Sequence, residues 1–284
     1  MNKTTRWLIA IVLLSGAAIG FYFWQQRTVP APQLLPPIEA TIPPVAVVAE
    51  NAPEAETKVD SVIRYPILET LVTPAEPQAL PALAASDPTI WDALVALIGP
   101  TPLKQLFHSQ EIVRHIVVTI DNLPRQTAAV RLHPTKPVEG KFLTAGPAES
   151  RFIAAENAAR YAPYVRLAET TDAKKITALY VHFYPLFQRA YQELGYPNGY
   201  FNDRLVAVID HLLGAPESAA PLALVQPHVL YQFANPALEA QSAGRKILLR
   251  MGSENASKIK TKLREIRAEL IGGISNQPVN QPVN

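Results

Sequence analysis

The chain opens on an uncharged, apolar run that differs from everything after it. Lys3 and Arg6 precede this run, which spans residues 7–24. A helix of that length covers about 27 Å, close to the thickness of the hydrocarbon core of a bilayer. Aromatic residues stand at both ends of the run, where their rings favour the level of the lipid headgroups. The pattern predicts a transmembrane anchor at residues 7–24, in contact with the lipid bilayer.

A cleaved signal peptide is the alternative interpretation, because residues 15–18 are small. Cleavage there would leave the apolar residues 19–24 at the new amino terminus, and the run is longer than the usual apolar core of a signal peptide. We therefore favour the uncleaved anchor. The positive charges before it predict a cytoplasmic segment at residues 1–6 and export of the rest. In a Gram-negative bacterium this would be a single-pass inner-membrane protein with a periplasmic C-terminal domain.

Gly16 and Gly20 lie within the predicted span at a Gly-x-x-x-Gly spacing. This spacing lets two helix backbones approach closely, so it predicts a homodimer through that face. Small residues are also common in spans that do not dimerise. The spacing alone leaves both interpretations open.

Proline is frequent in the stretch that follows, residues 25–85. The chain holds 27 prolines against 12 glycines, and no helical or alternating period survives in this stretch. Proline fixes φ and removes a backbone donor, which favours extended polyproline II structure. Acidic residues outnumber basic ones here, and their repulsion favours extension. Residues 25–85 are therefore predicted to be a disordered acidic linker. The repeated Gln-Pro-Val-Asn motif predicts a disordered tail at residues 273–284.

Residues 86–272 show helical periodicity, with start and stop signals in order. One predicted helix runs from Asp172 to Leu194 and is kinked by Pro185. Another runs from Asn235 to Met251. The predicted capping residues are Asp87, Ser109, Asn157, Asp172, Asn202, Asn235 and Ser253.

The helical period is absent from two stretches of this domain. Lys141–Thr144 and Arg151–Ala154 predict short strands that form a small hairpin, and Pro221–Phe233 is extended and apolar. The predicted fold class is mainly α: a helical globular domain with a minor β element, preceded by a transmembrane helix and a proline-rich linker.

Three groups of residues in this domain carry a resemblance to a known family. They are Asp121–Pro124, Gly199–Arg204 with Asp210–Leu213, and Leu230–Ala234 with Leu249–Gly252. Together they make the domain similar to a bacterial family, the domain of unknown function family 3014. The resemblance implies a single-pass envelope protein of a Gram-negative bacterium. It implies no established activity, so no catalytic residue is carried over from it.

Composition excludes several kinds of site. The chain has no cysteine, so thiol nucleophiles and cysteine-ligated metals are excluded. Its six histidines do not pair at a metal-binding interval, and no phosphate-binding glycine loop is present. We predict no metal and no cofactor. The net charge of +2 gives no reason to expect nucleic acid as a partner.

The connection and helix over residues 196–211 form the best candidate site. Aromatic and charged side chains cluster at a predicted helix start, where exposed N–H groups favour an anion. An ordinary structural role is the alternative, because Asn and Asp are common at helix starts. The predicted ligand-binding residues are Tyr196, Tyr200, Asn202, Asp203, Arg204, Asp210 and His211.

A basic segment at residues 245–267 offers a second surface. Its charges are explained either by a solvated helix face or by docking onto an anionic partner, which would be lipid headgroups, acidic cell-wall polymer or the acidic linker of the protein itself.

These features together predict a membrane-tethered periplasmic binding or scaffold module of the cell envelope. Its partner would be an envelope protein or a cell-wall polymer, and the ligand stays open. The alternative is an envelope hydrolase that acts on glycan or peptide. Asp203 and Asp210 share one helical face and could flank a glycosidic bond in such an enzyme.

Overall fold

The computed structural model describes residues 63–67, 80–218 and 221–275. The predicted anchor at residues 7–24, with Gly16 and Gly20, lies outside these residues. So do most of the predicted linker and the tail from residue 276 onward. Among the described residues, no helix combines the length and the apolar character needed to cross a bilayer.

Helices make up most of the described chain, which confirms the mainly α fold class. Short 3-10 turns connect several of them, and the longest of these turns is Ala155–Tyr161. The α-helices are α1 Asp87–Ile98, α2 Pro100–Leu106, α3 Ile112–Asn122, α4 Ala162–Thr170, α5 Ala173–His182, α6 Tyr184–Glu193, α7 Phe201–Leu213, α8 Pro236–Glu239, α9 Ala243–Arg250 and α10 Ser253–Ser275.

Two short antiparallel hairpins form the minor β element. In the first, β1 Thr144–Ala145 pairs with β2 Phe152–Ile153, close to the predicted hairpin. In the second, β3 Leu224–Val225 pairs with β4 Gln232–Phe233. A bridge between Phe152 and Ala223 joins the two hairpins. They therefore form one small β region beside the helices.

The main hydrophobic core lies where α3, α6 and α7 meet. Val113 and Val117 of α3 are almost completely buried, and Phe201 at the start of α7 has no exposed surface. The Phe201 ring stacks on Phe187 of α6, with 6.0 Å between centroids and 7° between planes. Helix α10 packs along α4, α5 and α7 on the other side. Helix α7 is thus packed against both sets of helices, which fixes its position.

Asp87 caps a different helix from the one predicted. It lies in the first turn of α1, but its carboxylate accepts the N–H groups of Glu111 at 2.7 Å and Ile112 at 2.9 Å. These N–H groups begin α3 and have no partner within that helix. Ser109 therefore does not supply the predicted cap. The residue before α3, Glu111, takes a positive φ of 50°.

Pro185 ends a helix where the sequence predicts only a kink. Helix α5 stops at His182 and α6 starts at Tyr184, with the buried Phe183 between them. Proline has no N–H to donate, and its ring collides with the preceding turn, whereas the first turn of a helix tolerates it well. Asp172 caps α5 as predicted, because its carboxylate accepts the Lys175 N–H at 3.0 Å.

The predicted helix from Asn235 to Met251 is also divided. Asn235 caps α8 through the N–H of Ala237, and Ser242 caps α9 through the N–H of Arg245. Because Ser242 offers a second capping hydroxyl, the chain starts a new helix there.

Asn157 is a buried connector rather than a helix cap. Its side chain has no exposed surface. The Oδ1 atom accepts the Leu143 N–H at 3.2 Å and an Arg160 N–H at 2.8 Å, while Nδ2 donates to the Arg250 carbonyl at 3.0 Å. A buried amide needs hydrogen-bond partners for its nitrogen and for its oxygen. Asn157 therefore links the approach to β1 with the end of α9.

Candidate functional site

The carboxylate of Asp203 holds a segment that precedes the helical domain. It accepts the backbone N–H of Arg64 at 2.9 Å and that of Tyr65 at 2.8 Å. We call residues 63–67 the docked segment. Its backbone meets the first turn of α7, and an ionised acceptor makes the hydrogen bonds stronger than a neutral one would.

Tyr200 and Asn202 complete the contact with the docked segment. The Tyr200 hydroxyl accepts the Ile67 N–H at 2.7 Å, and Asn202 Nδ2 donates to the Tyr65 carbonyl at 2.8 Å. Asn202 was predicted to cap α7, but it is fully buried inside the first turn, where its Oδ1 also accepts the Tyr180 hydroxyl at 3.2 Å. Three of the predicted ligand-binding residues therefore bind the backbone of this same chain.

The docked segment falls within the predicted linker at residues 25–85. Its backbone is hydrogen-bonded to α7, and Ile67 packs against the main core together with Leu80 and Leu83. The contacts of the helical domain therefore begin before residue 86. The rest of the linker stays a prediction.

Arg204 turns away from the docked segment and binds Asp121 at the end of α3. Its Nε donates to Asp121 Oδ1 at 3.0 Å, and its Nη2 donates to the Asp121 carbonyl at 2.8 Å. Asp121 is only 2% exposed. Burying a carboxylate is costly unless it has a charged partner and hydrogen bonds, and Arg204 supplies both.

Arg125 and Tyr196 bind the second oxygen of the same carboxylate. Arg125 Nη2 donates to Asp121 Oδ2 at 2.7 Å, and the Tyr196 hydroxyl donates to that oxygen at 3.2 Å. Arg125 also donates to the Tyr196 hydroxyl at 3.1 Å. The hydrogen bond to Asp121 is the largest cause of a raised pKa at Arg125. We call Asp121, Arg125, Tyr196 and Arg204 the arginine cluster.

Asp210 lies apart from both of these groups. Its carboxylate is paired with the guanidinium of Arg267 on α10, which donates from both Nε and Nη2. Asp203 instead faces the backbone of the docked segment. The two carboxylates predicted to act together in a hydrolase thus have different partners, and the structure does not aim them at one substrate.

His211 lies next to Ser242 and Arg245 at the start of α9. Its Nε2 is 2.8 Å from the Ser242 hydroxyl, and its carbonyl accepts the Arg245 Nε–H at 2.8 Å. Burial lowers the pKa of His211, and the positive charges of Arg245 and Arg204 lower it further. His211 is therefore neutral near pH 7 and lies in a positive electrostatic environment.

A groove of about 300 Å³ opens elsewhere, between the β region and the start of α10. Phe152, Leu222, Leu249 and Ala256 give it a mainly apolar lining, and Arg250 and Glu217 add charge. None of the seven predicted ligand-binding residues lines it. Among the described residues, no cluster of acidic or histidine side chains could hold a metal ion.

Sequence reasoning missed Asp121 and Arg125 as members of the site. Asp121–Pro124 contributed to the family resemblance, but nothing local to that string indicated a buried carboxylate. Their partners Tyr196 and Arg204 lie far along the chain and come close only in the folded domain. The one available signal was that Asp121–Pro124 and Gly199–Arg204 both carry the resemblance to the same family.

Comparison with known proteins gives one positive result. Neither the search of curated proteins nor the search of solved structures found a match. A family model described as "Protein of unknown function (DUF3014)" matches residues 112–267, which is more than half of the chain. This range contains the whole arginine cluster and helix α7. The chain therefore belongs to the DUF3014 family.

Proposed function

We propose that the protein is a membrane-tethered binding or scaffold module of the cell envelope. Residues 7–24 anchor it in the inner membrane, and the helical domain lies in the periplasm with an envelope protein or cell-wall polymer as its partner. The apolar run and the positive charges before it support this topology. The shared family and the helical architecture are compatible with it.

The docked segment is the observation that carries the proposal. Four hydrogen bonds join its backbone to Tyr200, Asn202 and Asp203. The proposed tether therefore enters the domain at one fixed place on α7, which sets the faces that the domain can present to a partner. These residues hold backbone groups of the same chain, so their contacts attach the docked segment to the domain. No observation favours the hydrolase alternative, since both of its carboxylates have internal partners.

The topology can be tested with fusions to the C-terminus in the native host or a Gram-negative bacterium. We expect an alkaline phosphatase fusion to be active and the matched β-galactosidase fusion to be inactive, because only the former folds after export. Protease added to spheroplasts should digest the domain. Digestion that requires opening of the inner membrane would refute the proposed location.

The docking role predicts a local effect of Asp203→Asn. The neutral amide offers one acceptor oxygen in place of two charged ones, so the hydrogen bonds to the docked segment weaken. We expect the amides of Arg64 and Tyr65 to exchange with solvent about tenfold faster or more, the ratio that corresponds to one lost charge-assisted hydrogen bond. Hydrogen–deuterium exchange resolved by residue measures this directly.

Asp210→Asn is the matched control, since it removes from the same helix a carboxylate that is paired with Arg267 and accepts no hydrogen bond from the docked segment. Exchange at Arg64 and Tyr65 should stay at the wild-type rate in this variant. Equal exchange rates in wild type and Asp203→Asn would show that the docked segment is not held by α7.

A further inference from the structure

We propose that Arg125 and Arg204 form a binding site for a phosphate group, with Tyr196 at its edge. The site is distinct from the docked segment, because Asp203, Tyr200 and Asn202 take no part in it.

The two guanidinium groups lie side by side because they bind the two oxygens of one carboxylate. Arg204 takes Oδ1 of Asp121 and Arg125 takes Oδ2. Asp121 lies beneath them, with its side chain 3% exposed, whereas the Arg125 side chain is 55% exposed and that of Arg204 is 30% exposed. The carboxylate is thus covered, and the cations form the surface that solvent reaches.

Each guanidinium keeps donors for a ligand. An arginine carries five N–H donors in a planar fork. Arg125 uses only its Nη2 atom, for Asp121 and Tyr196. Arg204 uses Nε and Nη2 for Asp121. Within the described part of the chain, Nε and Nη1 of Arg125 and Nη1 of Arg204 meet no acceptor.

The local charge favours an anion. Two arginines stand against one carboxylate, so the cluster carries a net positive charge, and Arg245 adds another within electrostatic range of His211. Burial is the largest cause of the lowered pKa of His211, and the positive charges of Arg245 and Arg204 lower it further, in keeping with this positive field. Phosphate presents three or more oxygens to donors that come from two forks, which matches the free N–H groups here.

The cluster is held rigid, so little entropy is lost when a ligand binds. The backbone of Arg125 donates to the Asn122 carbonyl at 2.9 Å and accepts the Ala243 N–H at 2.7 Å. The Tyr196 ring stacks on Tyr191 with 4.5 Å between centroids. Preorganised donors of this kind bind a ligand more tightly than mobile surface side chains do.

The test uses the full chain in dodecyl maltoside with two probes. Inorganic phosphate represents a soluble phosphate, and its binding is measured by calorimetric titration. Phosphatidylglycerol mixed into the micelles represents a lipid headgroup, and native mass spectrometry counts the bound lipid molecules. We expect the chain to bind at least one probe, and Arg125→Gln to weaken that binding about tenfold or more. Binding of phosphate assigns a soluble source, and binding of the lipid alone assigns the headgroup.

Arg131→Gln is the matched control, because Arg131, like Arg125, is an exposed arginine in the connection between α3 and β1. It should bind the probe as wild type does. Arg125→Lys keeps the charge but loses the fork, so it should also bind more weakly, and it provides the measurement if Arg125→Gln does not fold. The proposal is overturned if neither probe binds, if Arg125→Gln and Arg125→Lys bind like wild type, or if acetate binds as tightly as phosphate. These binding results are independent of amide exchange at Arg64 and Tyr65, so the phosphate site and the docking role can fail separately.

Discussion

Asp121→Asn lowers the free energy of unfolding by about 3 kcal/mol, which is the expected result of removing one partner from a buried ionic cluster. The substitution keeps the shape of the side chain but leaves Arg204 and Arg125 without a counter-charge. Arg204 is held at two points by Asp121, through its carboxylate and its carbonyl. Urea denaturation followed by far-ultraviolet circular dichroism gives the change.

Asp92→Asn provides the comparison for this experiment. Asp92 lies exposed on α1, and its replacement should change stability by no more than about 0.5 kcal/mol. If Asp121→Asn were as stable as Asp92→Asn, the arginine cluster would contribute nothing to holding α3 against α7.

Phe201→Ala is expected to cost about 4 kcal/mol of unfolding free energy, because it opens a cavity in the main core. The ring is completely buried, stacked on Phe187 and 5.4 Å from Tyr191 between centroids. It also fixes the start of α7, so the cavity would loosen the face that carries Asn202 and Asp203. The same denaturation experiment measures the loss.

Leu230→Ala is the appropriate control, since Leu230 is 77% exposed on the second hairpin. Its removal should leave the denaturation midpoint close to that of wild type. A loss below about 1 kcal/mol for Phe201→Ala would mean that the core collapses around the missing ring, at odds with a close-packed interior.

Periodicity was enough to predict most of the helices, since the apolar faces of α3, α6 and α7 recur at helical spacing. The minor β element also followed from the loss of that period around residues 141–154. These features depend on residues close together in the chain, where local propensity and amphipathic patterning act.

The errors arose where a polar group takes a distant partner. Asp87 reaches the start of α3 instead of capping α1, and Asn157 connects two remote backbone segments. Both residue types favour helix starts, so the sequence alone could not show which backbone groups they would meet. Pro185 was recognised as a disturbance of the helix, but the structure has a full break there, with Phe183 between the two helices.

In the candidate site, too, the features set by neighbouring residues were predictable and the distant partners were not. Its helix, its aromatic residues and Arg204 were predictable from the local string, whereas the partners of those residues were not. Asp121 and the docked segment come from elsewhere in the chain, and no spacing rule connects them to α7. Sequence reasoning therefore named side chains at the start of α7 and missed the partners that they take in the folded domain.

The buried side chains also show that the folding unit is larger than the range shared across the family. Residues 112–267 leave out Ile90 and Leu103, and they stop short of Leu270, although all three are buried. They also leave out Asp87, whose carboxylate accepts the Ile112 N–H at the start of α3. A fragment trimmed to those limits would expose apolar surface at both ends, which favours aggregation over a soluble monomer.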